Sequence, residues 1–549
     1  MKKMLEAKVS QALASLAGRL DVSLPDSPSR FVVEEPKDPD HGHLATNAAM
    51  IMAKAFQRKP TELADLIIEE IDNSDGYIEK LSKAGPGFIN FTLGQKWWSK
   101  ALADILRAGD SFGRGDPKNL KVMVEYVSAN PTGPLHVGHG RGAAIGDALI
   151  RVMRKAGYEV TGEYYINDAG RQMRILGESV YARLKELDGS AETFPEDHYR
   201  GEYIKDMARE YLTRNGRGIL ETPADEAVEV LGKLAGDEIL QCIKDDLAAF
   251  RVEHEIWFSE KSLYTDGSVD KALDYLRGRG YIYEKDGAVW FKAEALGDDK
   301  DRVLIKSTGE HTYFAADIAY HWDKFNRGFD QLIDIWGADH HGYIPRMKAA
   351  VEAMGKNRDD FAVVLVQLVS LVRDGQPVAM STRAGEFVTL REVVDEVGAD
   401  AARFMFLTRG SDTTLEFDLD LAKAKTKDNP VYYVQYVGAR IESIIRAAGS
   451  HDDQAADFSL LTQPEETALI KHLASFPELI ETAARKREPH HLTAYLSVLA
   501  RLFHHYYAQH RIAADDRALA KARLELVRTI RLVVRLGLEL LGVGSPDSM

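Results

Sequence analysis

The stretch from Lys121 to Gly157 constrains the fold more than any other part of the 549-residue chain. It begins with an apolar, β-branched run, KVMVEYV, which predicts a buried strand. Asn130, Pro131 and Gly133 then break the chain with strong turn chemistry. Small and apolar residues follow at helical spacing, up to a glycine stop. A strand, a glycine-rich turn and a helix form the first half of a nucleotide-binding βαβ unit.

Two histidines stand at the start of this helix. His136, Gly138 and His139 belong to the sequence HVGH, where unpaired backbone N–H groups and the positive end of the helix dipole favour phosphate. Imidazoles at this position can donate hydrogen bonds to phosphate oxygens as charge develops during nucleotidyl transfer. Gly138 leaves room for a flat adenine against the backbone. The alternative is a chance match of two ordinary surface histidines, but the flanking strand and helix favour an ATP-type site.

The longer segment SANPTGPLHVGHGRGAAIGDAL resembles the HIGH signature of class I aminoacyl-tRNA synthetases, and its flanks resemble arginyl-tRNA synthetases in particular. The resemblance extends from DPDHGHLATNAAM, near the N-terminus, to the final residues. It implies ATP-dependent activation of L-arginine to arginyl-adenylate, followed by transfer to the 3′-terminal ribose of tRNA(Arg). It also implies ATP as a substrate together with Mg²⁺, and no structural metal bound by the protein.

The composition is ordinary for a globular protein, with 45% hydrophobic and 28% charged residues. The single cysteine, Cys242, excludes an internal disulfide framework. A formal net charge of −15 argues against nucleic-acid binding over the whole surface, although a local basic face with stacking aromatics remains compatible with RNA. The N-terminus lacks an apolar leader, and the longest apolar run, FAVVLVQLVSLV, is too short to cross a bilayer. We therefore expect a soluble, cytoplasmic protein. We also expect it to act as a monomer.

The length predicts several domains. The resemblance implies an α/β Rossmann-type (HUP-like) catalytic core with a parallel sheet, an N-terminal α+β domain and a C-terminal all-α helical bundle. The expected units are an N-terminal domain over residues 1–115 that contacts the tRNA D-loop, a catalytic domain over 116–395 with a helical insertion at about 178–300, a connecting segment over 396–428, and an anticodon-binding domain over 429–549.

A second block, DRVLIKSTGEHTYFAADIAYHWDKF, carries a candidate for amino-acid recognition. Tyr313 and Asp317 are four residues apart and share one face of a helix. A carboxylate can pair with a cationic substrate while a phenol ring flanks it; the alternative is a helix N-terminal carboxylate beside a core tyrosine. The resemblance implies that these two residues bind the guanidinium of arginine. It also implies that Glu125 and Asn130 lie around the α-ammonium and carboxylate groups, and that His340 makes a further polar contact.

The segment MSTR occupies the place of the class I KMSKS loop, which holds pyrophosphate in the transition state in that family. The resemblance implies that Ser381 and Arg383 are catalytic and that Met380 contacts ATP. Both lysines of the family pattern are replaced, one by alanine and one by threonine. Arg383, together with Arg373, then supplies the positive charge, or another residue does. Lysine is a mobile point charge and arginine a rigid fork, so this exchange is not neutral.

The C-terminal helical region carries tyrosines at near-helical spacing in NPVYYVQYVGARIESIIRAAG. Such aromatics, beside an arginine, can stack on unpaired bases; the alternative is tyrosines that pack between helices. The resemblance implies that Tyr433, Tyr436 and Met549 pack around anticodon bases.

Two other functions remain open from the sequence. A non-catalytic tRNA-binding paralogue would account for the altered KMSKS segment. A small-molecule nucleotidyltransferase shares the H-x-G-H turn, but it would not need the N-terminal unit or the tyrosine-bearing bundle.

Overall fold

The computed structural model describes residues 1–24, 31–189, 194–378, 388–448 and 455–549. The N-terminal part is a small α+β unit. Its elements are α1 (Lys2–Arg19), β1 (Val33–Glu34), β2 (Leu44–Thr46), α2 (Ala48–Met52), α3 (Pro60–Glu70), β3 (Ile78–Ala84), β4 (Phe88–Leu93) and α4 (Gln95–Ala108). The four strands form one antiparallel sheet in the order β1-β2-β4-β3.

The central part begins at the predicted strand and alternates strands with helices. Its elements are β5 (Lys121–Glu125), α5 (Val137–Lys155), β6 (Glu159–Ile166), α6 (Arg171–Leu187), α7 (Glu202–Asn215), α8 (Ala224–Ala249), β7 (Ile256–Ser259), α9 (Glu260–Thr265), α10 (Ser268–Gly278), β8 (Ile282–Lys285), β9 (Ala288–Phe291), β10 (Arg302–Ile305), α11 (Tyr313–Asn326), β11 (Gln331–Gly337), α12 (Ile344–Ala353), β12 (Phe361–Val366), β13 (Val369–Arg373), β14 (Gln376–Pro377), α13 (Leu390–Val397), α14 (Ala399–Phe406), β15 (Leu415–Asp418) and α15 (Leu419–Lys423). Short 3₁₀ helices punctuate it, including Ala338–Tyr343.

Five of these strands form the central sheet, in the order β12-β11-β5-β6-β7. Every neighbouring pair is parallel. The chain moves outward from β5 to β7 on one side and then resumes at β11 on the other side of β5. Open α/β sheets bind ligands at the carboxyl ends of the strands where the order reverses in this way. The fold therefore directs attention to the residues that follow β5 and its neighbours.

Helix α5 packs closely against the residue that follows β5 and against α13, because a glycine faces each of them. A Cβ built on Gly146 would lie 2.3 Å from the ring of Tyr126, and one on Gly140 would lie 2.6 Å from Leu390. A larger residue at Gly146 would push the helix away from the end of β5, and one at Gly140 would push it away from α13. The small-residue pattern thus fixes where the first turn of α5 stands.

The range predicted as an insertion, 178–300, is divided by the central sheet. Helices α6, α7 and α8 precede β7, which is an edge strand of that sheet. An antiparallel sheet in the order β10-β9-β8 follows it. A hairpin turn at Asp286-Gly287 joins β8 to β9, and both turn residues have positive φ, 53° and 72°.

The C-terminal part is helical, with α16 (Pro430–Ala448), α17 (Pro464–Ala474), α18 (Phe476–Lys486), α19 (His491–Gln509) and α20 (Arg517–Leu540). One apolar core runs from the N-terminal unit through α5 into this bundle. Among the described residues, no helix is both long enough and apolar enough to cross a membrane.

Arg403 of α14 joins four parts of the chain and is fully buried. Its Nη2 donates to the carboxylate of Asp147 on α5. Its Nε donates to the carbonyl of Leu541, just after α20, at 2.8 Å, and its Nη1 donates to the carbonyls of Phe250 and Arg251 at 3.1 and 3.2 Å. The guanidinium therefore ties the helix that bears HVGH to the C-terminal bundle.

Candidate active site

The two histidines of HVGH cap α5 with each other. His136 is the N-cap residue, and its Nδ1 accepts from the backbone N–H of Gly138 at 3.1 Å and of His139 at 3.4 Å. Nδ1 of His139 in turn accepts from the backbone N–H of His136 at 3.3 Å. The rings stack with centroids 3.7 Å apart. Two of the donors that a helix N-terminus leaves unpaired are therefore satisfied reciprocally.

This capping arrangement fixes the protonation of both rings. Because each Nδ1 accepts a hydrogen bond, the neutral tautomer of each imidazole carries its proton on Nε2. Burial lowers the pKa of His136, and burial, reinforced by the neighbouring His136, lowers the pKa of His139 to about 3. Both rings are then neutral hydrogen-bond donors at physiological pH. A Cβ on Gly138 would lie 2.9 Å from Cε1 of His136, so the glycine also keeps the capping ring in place.

The backbone between β5 and the HVGH turn is strained. Val127 and Ser128 have φ of 70° and 40°, in the left-handed region that a β-branched residue rarely adopts. The hydroxyl of Ser128 donates to Glu125 at 3.0 Å and accepts from the backbone N–H of Tyr165 at 3.1 Å. Strain of this kind persists where the surroundings over-determine it, commonly at functional sites.

A pocket of three carboxylates lies at the same edge of the sheet. Asp168 follows β6, Glu260 follows β7, and Asp317 stands in the first turns of α11, which leads back to β11. Glu260 is 3% exposed, and its Oε2 is a buried oxygen without a hydrogen-bond partner among the described residues. Burial, with further contributions from Asp317 and Asp168, raises the pKa of Glu260 to about 7. The pocket therefore has unsatisfied capacity for a cation.

Tyrosines surround this acidic pocket. The hydroxyl of Tyr343 donates to Oδ2 of Asp317, and burial raises the pKa of that carboxyl. Burial, and then the charge of Glu260, raises the pKa of Tyr264 to about 12. Tyr313, one helical turn before Asp317 as predicted, is 66% exposed at the rim. A carboxylate pocket with aromatic walls suits a cation that presents several N–H donors.

The sequence prediction missed Glu260 and Tyr343 as pocket residues. Glu260 follows an apolar strand directly in IWFSE, which is the position where α/β sheets place ligand contacts. That signal was lost because the strand fell within the range assigned to the insertion.

Glu125, predicted to lie near the amino group of arginine, is engaged by other side chains. Its Oε2 accepts from Nζ of Lys324 at 2.5 Å, and Lys324 also lies 3.2 Å from Oδ1 of Asp334. Lys324 is fully buried, and Glu125 is 8% exposed. Glu125 and Asp334 are register partners on neighbouring strands, so they face α11 side by side. This charged cluster supports α11 from the sheet side.

The remaining predicted contacts lie at the same edge or outside the described residues. Asn130 is half-buried in the turn before HVGH, and His340 is exposed in the 3₁₀ helix after β11. Met380, Ser381 and Arg383 lie outside the described residues. Arg373 donates to Oε2 of Glu396 at 2.6 Å and is thus engaged in an ion pair.

The segment that follows 379–387 runs beside the HVGH turn. Thr389 pairs with His136 in an antiparallel bridge, and the backbone N–H of Val137 donates to the carbonyl of Val388 at 3.3 Å. Val388 and Thr389 therefore lie beside the capped start of α5.

An aromatic and basic surface lies on the C-terminal bundle. Tyr433 and Tyr436 of α16 are half-buried and contact the ring of His504 on α19, with centroids 4.7 and 5.9 Å apart. Arg440 donates to the hydroxyl of Tyr436 at 2.6 Å and lies over the ring of Tyr507 at 4.9 Å. The tyrosines thus pack between helices and keep an exposed edge, and their stacking on unpaired bases stays a prediction. Met549, also predicted to contact anticodon bases, is 50% exposed at the end of the chain.

Within the described ranges, no group of three or more His, Cys, Asp or Glu side chains is arranged to hold a metal ion.

Three family models match successive parts of the sequence. Residues 3–93 match "Arginyl tRNA synthetase N terminal domain", residues 101–416 match "tRNA synthetases class I (R), catalytic domain", and residues 434–549 match "DALR anticodon binding domain". The parallel sheet with its HVGH turn and these matches define a class I aminoacyl-tRNA synthetase.

Relatives over the full length narrow the assignment. The chain is 53% identical to an arginine–tRNA ligase of Desulfovibrio desulfuricans over 95% of this chain and 96% of the relative, and 49% identical to one of Syntrophotalea carbinolica over 100% of both. The chain belongs to the arginyl-tRNA synthetase family. The structure of Thermus thermophilus arginyl-tRNA synthetase shares the fold, with a TM-score of 0.80 over 100% of both chains at 23% identity. The predicted family and fold class are confirmed.

Proposed function

We propose that this chain activates L-arginine with ATP and transfers the arginyl group to the 3′-terminal ribose of tRNA(Arg). The carboxylate of arginine attacks the α-phosphorus of ATP, pyrophosphate leaves, and arginyl-adenylate forms. The terminal ribose then takes the arginyl group, first on its 2′-hydroxyl. The protein contributes positioning and charge stabilisation and needs no nucleophile of its own.

The HVGH turn is the proposed ATP site, with ATP bound as its magnesium complex. The Nε2–H groups of His136 and His139 donate to phosphate oxygens while negative charge builds during pyrophosphate departure. Because both imidazoles are neutral and held by their own backbone, they need little reorganisation when the reaction occurs. Ser381, Arg383 and Met380 are proposed to complete this site on the pyrophosphate side.

The acidic pocket is the proposed arginine site, and its unpaired buried oxygen is the single observation on which the assignment depends. Glu260 Oε2 lacks a partner among the described residues, and the cationic fork of a guanidinium can satisfy it together with Asp317. The ammonium of lysine is a compact point charge that lacks the planar fork of guanidinium donors, so we expect lysine to leave acceptors unpaired and to be rejected. Tyr313 is proposed to flank the guanidinium beside Asp317. Asn130, Glu125 and His340 remain proposed contacts to the rest of arginine.

The aromatic surface of Tyr433, Tyr436 and Met549 is the proposed anticodon site. Its half-exposed rings and Arg440 offer stacking and cation–π contacts to unpaired bases. We further propose the unit boundaries 1–115, 116–395, 396–428 and 429–549, with the first unit touching the tRNA D-loop. The chain is proposed to act as a monomer in the cytoplasm.

The decisive experiment is arginine-dependent pyrophosphate exchange, with and without tRNA(Arg), followed by charging with radiolabelled arginine. We expect exchange and charging with arginine and none with lysine, and canavanine should compete. A protein that retains tRNA on a filter but charges none would instead be a binding paralogue. Exchange that ignores arginine and tRNA would indicate a small-molecule nucleotidyltransferase.

A further inference from the structure

The strained turn after β5 is held by hydroxyl groups from other elements. Tyr164 of β6 donates to the carbonyl of Ala129 at 2.8 Å, immediately after the two residues with positive φ. This contact comes from within the central sheet. The second half of the turn, which leads into HVGH, is held from outside the sheet.

Tyr203 of α7 supplies that second contact. Its hydroxyl donates to the carbonyl of Thr132 at 2.7 Å, four residues before His136. A Cβ built on Gly133 would lie 3.1 Å from the same hydroxyl oxygen, so the turn and the tyrosine are in close contact. On the other side, a Cβ on Gly201 would lie 2.3 Å from the ring, so the ring sits directly against the backbone of its own segment.

We propose that Tyr203 is a positioning residue for adenylate formation. It fixes the backbone at Thr132 and thereby the direction in which His136 and His139 present their Nε2–H groups to ATP. The helix that carries it lies outside the parallel sheet, so the insertion takes part in aligning the ATP site rather than serving only as a spacer. The inference rests on the proposed role of the HVGH turn.

Tyr203→Phe tests the inference because it removes one hydroxyl and keeps the ring. In pyrophosphate exchange we expect kcat/KM for ATP to fall about tenfold, the effect of one lost hydrogen bond felt at the transition state. The KM for arginine should stay within about twofold. Tyr211→Phe, on a half-buried tyrosine two turns along the same helix, is the matched control and should leave exchange and the melting temperature unchanged.

Gly133→Ala approaches the same contact from the other side. Its φ is not positive, so the added methyl acts through the clash with the Tyr203 hydroxyl and not through backbone strain. We expect a loss similar to that of Tyr203→Phe, and a double variant that is less impaired than the product of the two, because phenylalanine removes the clashing oxygen.

The inference is overturned if Tyr203→Phe has the same kcat/KM for ATP as the wild type. It is also overturned if Tyr203→Phe and Tyr211→Phe lose the same share of kcat/KM and their melting temperatures fall as well. Equal loss would mean that the tyrosine only packs the insertion. The variant His139→Ala distinguishes a failure of the proposed ATP site from a failure of the inference about Tyr203. If it leaves activation intact, the proposed ATP site is wrong; if it abolishes activation while Tyr203→Phe is silent, only the present inference fails.

Discussion

The ring of His321 bridges two acceptors, with Nε2 at 2.9 Å from Oδ2 of Asp334 and Nδ1 at 2.8 Å from the backbone carbonyl of Asp317. A carbonyl and an ionised carboxylate can only accept, so both ring nitrogens must carry protons. Burial alone would lower the pKa of His321, but the charge of Asp334 outweighs it and the pKa is raised. A buried imidazolium therefore fastens the turn that bears Asp317 to β11.

We expect His321→Gln to destabilise the protein most at low pH. Because the pKa is raised in the folded state, the contribution is fully present below the unfolded value of about 6.5 and is lost as pH rises through the folded pKa. Breaking such a buried pair costs about 3 kcal/mol. Calorimetric melting temperatures at pH 6 and pH 9 measure it, with the exposed His41→Gln as control. A difference in melting temperature between wild type and variant that is the same at both pH values would contradict a protonated His321 ring.

Removal of charge from the proposed arginine pocket should weaken arginine binding selectively. We expect Glu260→Gln and Asp317→Asn each to raise the KM for arginine at least about 30-fold, because each leaves a guanidinium donor without its ionic partner. The KM for ATP should change little. Pyrophosphate exchange with varied arginine measures both values, and unchanged arginine kinetics would remove the residue from this role. Asp274→Asn, at an exposed position on α10, is a suitable control.

Arginine binding should depend on pH near neutrality. Because the pKa of Glu260 is raised to about 7 in the folded protein, the carboxyl takes up a proton as pH falls through 7 and loses its attraction for a cation. We expect the KM for arginine to rise about tenfold per pH unit below that value, and to level off above it. In Glu260→Gln the same profile should be flat between pH 6 and 8. A slope that persists in the variant would assign the titration to another group.

His139→Ala should lower the rate of activation more than the binding of arginine. Loss of one preorganised donor to a transition-state oxyanion typically costs about 100-fold in kcat. His139→Gln can return an N–H donor and should recover part of the rate. Because the pKa of His139 is about 3, kcat should show no step from this group between pH 5 and 8. A variant that loses only arginine affinity would place His139 outside the ATP site.

Arg403→Leu should destabilise the chain strongly. It leaves three carbonyls unpaired and deprives Asp147 of its buried partner, a loss of about 3 to 5 kcal/mol. Arg403→Lys should recover little, because a single ammonium cannot reach the same four acceptors. Thermal unfolding measures both, and Arg409→Leu, at an exposed position just after α14, should stay near wild type. A mild effect at Arg403 would mean that the four parts hold together without it.

Local patterns in the sequence predicted much of the fold. The strand, turn and helix predicted around HVGH correspond to β5 and α5. The β-branched run FAVVLV forms the parallel strand β12, and the Asp286-Gly287 dipeptide, typical of hairpin turns, joins β8 to β9. These features are encoded within a few neighbouring residues, so one sequence suffices to detect them.

The contacts that complete the site are of a different kind. Lys324 and Glu125 are 199 positions apart, and Tyr203 and Thr132 are 71 apart, so only the folded chain brings each pair together. β7 has four residues, too few to show a clear period. The strand was therefore assigned to the insertion, and Glu260 directly after it was missed. The capping of α5 by the two histidines could not be predicted either. The spacing of HVGH does not reveal which ring nitrogen accepts a hydrogen bond from the backbone.

The raised pKa of Glu260 has a calorimetric consequence. Near neutral pH part of the molecules carry a proton on Glu260, so arginine that binds at the proposed site should release that proton into the buffer. The heat of arginine binding should therefore differ between phosphate and Tris by the difference in their ionisation enthalpies, scaled by the fraction of protons released. In the free protein a proton on Glu260 thus neutralises the carboxylate, and on binding the guanidinium of arginine takes over this role.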